Sequence, residues 1–242
     1  MKNRILGLIA LLAIGLLALA CSETTILPSD PEANPGISVS GIGSVSGEPD
    51  VAILTLGVEA EADSVGQARA EAAAAMDAML TVLKSSGVED VDIHTTRFSV
   101  EPRYNFSEGE QELIGFFVEN IVTVKIRDID QTGTLIDDVV AEGGDLTRVQ
   151  DLRFTIDDPE ALQEEARRLA MEDANSKAET LADAGGVDLG TPRSISESFT
   201  RSPSPLAARA FSEDAQDAGA STAIEAGELE VQVQVQVVYG LD

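Results

Sequence analysis

From Leu229 to Val237 apolar and polar positions alternate without a break. Leu229, Val231, Val233, Val235 and Val237 fall on one side, and Glu230, Gln232, Gln234 and Gln236 on the other. A period of two is that of a β-strand with one buried face. The glutamine ladder on the other face then meets water or another subunit. The same period opens the folded part, with Ile37 and Val39 against Ser38 and Ser40. A glycine-rich stretch (Gly41, Gly43, Gly47) follows and reads as a hairpin-like return into a strand over Val51–Ala60. Two more strands are expected at Ile93–Pro102 and, after the polar loop NFSEGEQ, over GFFVENIVTVKIRD. In the latter, Phe116, Val118, Val122, Val124 and Ile126 share one face, and Glu119, Thr123, Lys125 and Arg127 the other. Asn120 falls on the apolar side and reads as a buried amide satisfying backbone groups at a bulge.

Elsewhere the period changes to 3.6. Val65, Ala68, Ala72, Met76, Met79 and Leu83 lie at steps of three and four, behind a capping box at Ser64–Gln67, and Gly87 provides a left-handed stop. A short helix is expected over about Asp130–Ala141, closed by Gly143–Gly144. The longest helix starts at Asp158–Pro159 and carries Leu162, Ala166, Leu169, Ala170, Ala174, Ala178, Leu181 and Gly185 on one stripe. Alanines at four-residue spacing let a neighbouring element approach closely. A strand–long helix–strand order therefore occurs twice, first from Val51 and again from a strand near Val149–Ile156. Mixed or antiparallel sheets are expected. The pattern is lost between about residues 200 and 226, where Pro, Ser and acidic residues read as a long mobile loop or insertion.

Composition narrows the partners. The 242 residues hold 16 Lys and Arg against 43 Asp and Glu, a net charge of −27. Lys2 and Arg4 belong to a leader, so the 16 basic residues fall to 14 and the charge of the exported chain to −29. Such a surface repels phosphate backbones, which sets nucleic acid aside. The leader is a basic start followed by an apolar run from Ile5 to Leu19, the core of a signal peptide covering residues 1–20 and short for a membrane span of ~20 residues. Cys21 is the sole cysteine, so a disulfide within the chain and a thiolate metal site are both out of reach. It stands after Ala18-Leu19-Ala20 and before a linker punctuated by Pro28, Pro31 and Pro35. That arrangement looks like a lipoprotein signal, with Cys21 as the lipidated first residue of a tether over 21–36; ordinary cleavage after Ala20 is the other reading.

Reactive chemistry finds little support. His94 is the sole histidine, so a zinc site is unavailable and a catalytic triad would have to be built around it alone; a structural or surface role is expected. Gly41-x-Gly43 lacks the remainder of a phosphate loop. The run from Asp128 to Gly133 resembles half an EF-hand loop, but Val139 occupies the position that needs a bidentate Glu, so Asp128 and Asp130 read as helix caps. Met76 and Met79 read as core filler. Acidic pairs (Asp50, Glu59 with Glu61, Glu89–Asp90, Asp137–Asp138, Asp157–Asp158) are as frequent as 43 acidic residues make them by chance. No catalytic residue, cofactor site or metal site is assigned.

Taken together, the segments ISVSGIGSVSGEPDVAILTLGV, VDIHTTRFSVEPRYNF, IGFFVENIVTVKIRDIDQTGTLIDDVVAEGGD, LAMEDANSKAETLADAGGVDLG and VQVQVVYGL resemble the SIMPL-domain family of bacterial envelope proteins, from about Ile37 to Leu241. The resemblance implies an α+β fold over 37–242 and a periplasmic or lipid-anchored location. It further implies ring-like or channel-like oligomers, interaction with other envelope proteins and a link to oxidative-stress tolerance, without an enzymatic activity. A non-catalytic oligomeric scaffold is the leading expectation. The alternative is a module that binds a small molecule or peptide in a cleft between the two strand–helix–strand units.

Overall fold

The computed structural model describes residues 36–107, 110–205, 222 and 224–242. Its strands are β1 (Gly36–Gly47), β2 (Val51–Ala62), β3 (Ile93–Ser107), β4 (Glu110–Ile126), β5 (Thr147–Thr155), β6 (Leu189–Pro205) and β7 (Leu229–Leu241). Its α-helices are α1 (Val65–Ser85), α2 (Thr132–Gly143) and α3 (Glu160–Gly185). The fold is α+β. One sheet has the order β3-β4-β2-β5 and the other β1-β7-β6, with every neighbouring pair antiparallel.

The duplicated order in the sequence is real, but its second copy is assembled differently from the expectation. In the first half the chain runs β2, α1, β3, β4, and β4 inserts between β3 and β2. In the second half α3, β6 and β7 repeat this plan, with β7 inserted beside β1. The opening strand of the second unit is thus β1. The strand near Val149–Ile156, expected to open it, is β5 and pairs with β2 in the other sheet, because Leu152 and Phe154 pack against the first half's core. Residues 51–155 are in effect inserted between β1 and α3.

The expected hairpin at Gly41–Gly47 is likewise replaced. These glycines lie inside β1, and Glu48-Pro49-Asp50 carries the chain from one sheet to the other. The reason is α3. A Cβ at Gly41 would sit 2.0 Å from the Ala170 carbonyl oxygen, and one at Gly43 2.0 Å from that of Ala166. Glycine in the strand and alanine in the helix let the two backbones touch. On α3 the buried row is Ala166, Ala170, Ala174, Ala178 and Ala182, whereas Leu181 is exposed. Opposite it, Val233, Val235, Val237 and Tyr239 of β7 complete the second core.

Leu54, Leu56, Val58, Val118, Val122 and Val124 meet Ala68, Ala72, Met76, Met79 and Leu83 of α1 in the first core, as the periodicity requires. Ser64 accepts a hydrogen bond from the Gln67 amide, while the Gln67 side chain turns to Glu71, so only half of the capping box forms. Gly87, at φ 93°, makes the left-handed stop. A small third cluster of Ile156, Leu229, Val231 and Leu162 packs where the chain returns to the second sheet. There Asp50 donates its amide to the Thr155 carbonyl (3.2 Å) and accepts one from Asp157 at its side chain (2.8 Å), tying the two crossings together.

Strand β6 continues to Pro205, into the stretch read as loop; 206–221, together with the leader, Cys21 and the linker to residue 35, lie outside the described residues.

Candidate functional site

His94 stands on β3 in register with Thr123, on the sheet face away from α1. On the neighbouring rung Lys125, Ile53 and Arg153 line up across β4, β2 and β5. With Val91, Asp92 and Arg127 these residues line a cavity of about 370 Å³. Its charges are already matched. Arg127 donates through Nε and Nη2 to both oxygens of buried Asp92 (3.0 Å each), and through Nη1 to Asp157 (3.0 Å). Lys125 donates to the other Asp157 oxygen (2.6 Å). Such a network orients the strand ends. The pair of buried Asp92 with exposed Arg127 escaped the sequence reading, since its members lie 35 residues apart and only the β3–β4 pairing brings them together.

Lys125 and then Arg127 hold the Asp157 carboxyl below the usual aspartate range. A carboxyl lowered by folding contributes stability that is complete above its unfolded value and is lost as pH falls through the folded one. The stability gap between wild type and Asp157→Asn should therefore be full at pH 7 and close as pH drops below about 4, the ordinary Asp value. Urea denaturation at a series of pH values measures it, and a gap that does not narrow at all as pH falls below about 4 contradicts the assignment.

The other acidic candidates also have structural partners. Glu59 accepts from Arg148 (2.8 Å), Glu61 faces Arg103 (3.6 Å) and Asp90 pairs with Lys84 (2.7 Å). Asp137 holds the Thr222 hydroxyl and amide (2.6 and 2.9 Å), which lowers its pKa. Asp158 accepts from the amide of Glu160 at the start of α3. Asp128 receives the side-chain amide of Gln131 instead of capping a backbone N–H. Met76 and Met79 are buried in the core. Asn120 is half-buried, and its side-chain oxygen has no partner among the described residues, so the expected backbone satisfaction is not made through that atom. The bulge in β3 lies between Thr95 and Arg97, opposite Val122 and Ile121, while Asn120 itself faces Phe98. No cluster of three or more His, Cys, Asp or Glu side chains suited to a metal occurs among the described residues.

What the structure offers instead is surface. Strands β3 and β4 pair out to Ser107 and Glu110, whereas β2 stops accompanying β4 at Phe116. From Arg103 and Gly115 outward they form a ribbon that no third strand accompanies among the described residues. On it Tyr104, Leu113 and Ile114 are 42–49% exposed and Phe106 is 75% exposed, with Phe98 (58%) and Val100 nearby on β3. Arg103 lies 5.6 Å from the Phe117 ring centre at the ribbon's root. The sequence reading placed a loop here and missed the ribbon. The visible signal was the alternation Val100, Tyr104, Phe106, broken by Pro102.

The second surface is the face of the three-stranded sheet away from α3. Gln232, Gln234 and Gln236 donate to Ser44, Ser40 and Ser38 of β1 (3.2, 2.8 and 3.3 Å). On the far side of β1, Asp173 accepts the Ile42 amide (2.8 Å) and Lys177 donates to the Ser40 carbonyl (3.0 Å), so α3 occupies edge groups that another strand would need. A third feature is a cleft of about 500 Å³ lined by Ile129, Asp130 and Phe154 of the first half and by Ile224, Glu225 and Glu228 ahead of β7.

Residues 37–239 match the family model SIMPL, described as a protein of unknown function (DUF541). The chain is 34% identical over 211 residues to the 26 kDa periplasmic immunogenic protein of Brucella melitensis, covering 84% of this chain and 83% of that one. It is 27% identical over 243 residues to the uncharacterized protein YggE of Escherichia coli K12, covering 100% and 95%. A protein of the same name from Edwardsiella ictaluri is 29% identical over 196 residues, covering 81% and 79%.

Proposed function

As this chain belongs to the SIMPL family, we propose that it is a non-catalytic protein of the bacterial cell envelope that works as a self-assembling scaffold, exported to the periplasm and held to a membrane through a lipid on Cys21. The observation that carries the reading is the β3–β4 ribbon. Among the described residues it leaves Tyr104, Phe106, Leu113 and Ile114 exposed, outside the two cores. Burying one such side chain is worth about 1.5–3 kcal/mol, so a partner that covers four of them gains a substantial driving force. The name of the Brucella relative, a periplasmic protein, supports the compartment. A role in envelope or oxidative stress would be indirect, through what the scaffold holds.

Light scattering on the purified full chain in detergent should give a mass of several copies, and a single-copy mass at every concentration would defeat the scaffold reading. Replacing Cys21 by Ser should move the protein from the membrane to the soluble fraction, while unchanged fractionation would remove the anchor.

The acidic cleft between the halves favours one second reading, a binding module for a small cationic molecule or basic peptide. Thermal shift with polyamines and oligolysine separates it from the scaffold, since only a binding module would melt higher with them.

A further inference from the structure

We infer that the cavity of about 370 Å³ on the outer face of the four-stranded sheet binds a phosphate group, held by Lys125, Arg153, His94 and Thr123. The inference is independent of whether the chain assembles. Its first support is a local reversal of charge. Acids outnumber Lys and Arg by 43 to 16 over the chain, yet the cavity wall carries Lys125, Arg127 and Arg153 against Asp92 alone. Both oxygens of Asp92 are taken by Arg127 (3.0 Å each). Asp157 and Asp151, which pair with Lys125 and Arg153, are not part of the wall. The cleft beside Phe154, by contrast, is lined by Glu48, Asp130, Glu225 and Glu228 and by no base. A concave wall of one sign focuses the field on whatever enters it. At physiological salt, charges farther than ~8 Å are largely screened, so a small anion in the cavity responds to the wall and not to the chain's total. A nucleic-acid strand would extend past the wall onto the acidic surface.

The second support is the set of donors left over once the ion pairs are made. Arg127 spends Nε, Nη1 and Nη2 on Asp92 and Asp157, so it positions the wall. Lys125 has three ammonium hydrogens and gives one to Asp157, which leaves two. Arg153 meets Asp151 only at 3.5 Å, too long for a strong hydrogen bond, and its side chain is 63% exposed. His94 has no hydrogen bond or ion pair with another described residue, and a neutral imidazole carries one N–H donor. The Thr123 hydroxyl lies 3.4 Å from that of Thr55; with Thr55 donating, the Thr123 hydrogen is free.

Strand register gathers these donors around one point. Thr123 stands opposite His94, Lys125 follows two residues later on the same face, and Arg153 lies beyond Ile53 on β5. With strands ~4.8 Å apart, Lys125 and Arg153 are about 10 Å apart at the backbone, a span that two long side chains bridge. A phosphate monoester presents three charged oxygens in a tetrahedron. The Arg153 fork suits two of them and the Lys125 ammonium acts as a point charge. A planar carboxylate, with two oxygens, leaves part of this donor set unused. Ile53 and Val91 offer apolar surface to the carbon part of the ester, and the volume lies within the ~300–1,000 Å³ of small-molecule sites.

The test is isothermal titration calorimetry on the full-length protein in detergent, with glycerol 3-phosphate and with dihexanoyl phosphatidic acid as a soluble lipid headgroup. Wild type should bind at least one of them, and no heat from either up to about 10 mM overturns the site. Tighter binding of glycerol 3-phosphate supports a free solute as occupant, and tighter binding of phosphatidic acid supports a headgroup. Acetate should bind about tenfold more weakly or worse, and equal affinity overturns the phosphate assignment. Arg153→Glu should weaken binding about tenfold or more by setting a carboxylate against the anion. Arg69→Glu, the same change of charge at an exposed position of α1, should bind like wild type. Wild-type affinity in Arg153→Glu overturns the site. So does an equal loss in Arg69→Glu, which would reduce the effect to overall charge. His94 supplies a readout that needs no variant. As the sole histidine it gives one imidazole C2 proton signal, which the tighter-bound ligand should shift at constant pH. A signal that stays in place counts against the site.

Discussion

Alanine in place of Gly43 is expected to cost at least about 3 kcal/mol, the upper end of what overpacking usually does, and to leave little soluble protein. The added methyl would sit 2.0 Å from the Ala166 carbonyl oxygen and 2.5 Å from the Ala170 amide nitrogen. Both are main-chain atoms in the middle of a 26-residue helix, so no side-chain rotation relieves the clash. Either β1 or α3 must move away. Moving either opens the row Ala166 to Ala182, and it separates Lys177 and Asp173 from the strand edge they occupy. With total stabilities of ~5–15 kcal/mol, a loss of this size populates unfolded chain. Gly66→Ala is the matching control. Nothing lies within 4 Å of that position, which is in the first turn of α1, so alanine there should be neutral or stabilise by about 0.4–1 kcal/mol. Urea denaturation of the two variants checks both, and equal stability would mean that the close approach of β1 and α3 is not as described.

The second large effect concerns Met79. This side chain is fully buried, and it joins three elements of the first half. It fills the space beside Gly143 at the end of α2, where an added Cβ would meet its Cγ at 2.7 Å and its sulfur at 2.9 Å, and it receives the Thr147 hydroxyl at 3.9 Å at the start of β5. Met79→Ala should lower stability by about 2–5 kcal/mol, the range for emptying a large core site. Met79→Leu, nearly equal in volume, should cost less than about 1.5 kcal/mol. A role of the Met76–Met79 pair in holding a metal would give another pattern. Leucine would then be as harmful as alanine, and the wild-type melting temperature would fall with a chelator.

These two sites show how far the sequence could be read. Periodicity alone identified the buried faces of α1, β4 and β7, because a side chain's face follows from its position within its own element. It also identified the Gln ladder. The same reasoning found the stop at Gly87. Gly41 and Gly43 went the other way. A glycine in a turn and a glycine beneath a helix look alike in the chain, and the helix that decides between them begins more than a hundred residues later.

What the chain by itself determined was therefore the inventory: three amphipathic helices, strands with one apolar face, an exported and anionic body, and a shortage of reactive groups. What only the tertiary structure decided was the pairing: β1 with β7 across nearly two hundred residues, β5 with the first sheet, Asp92 with Arg127, and the continuation of β3 and β4 as a ribbon past the end of β2. The physical reason is that local periodicity reports whether a residue faces inward, whereas partner choice is a competition among several apolar faces. Shape, meaning which backbones can come within touching distance, settles that competition only once all of them are present.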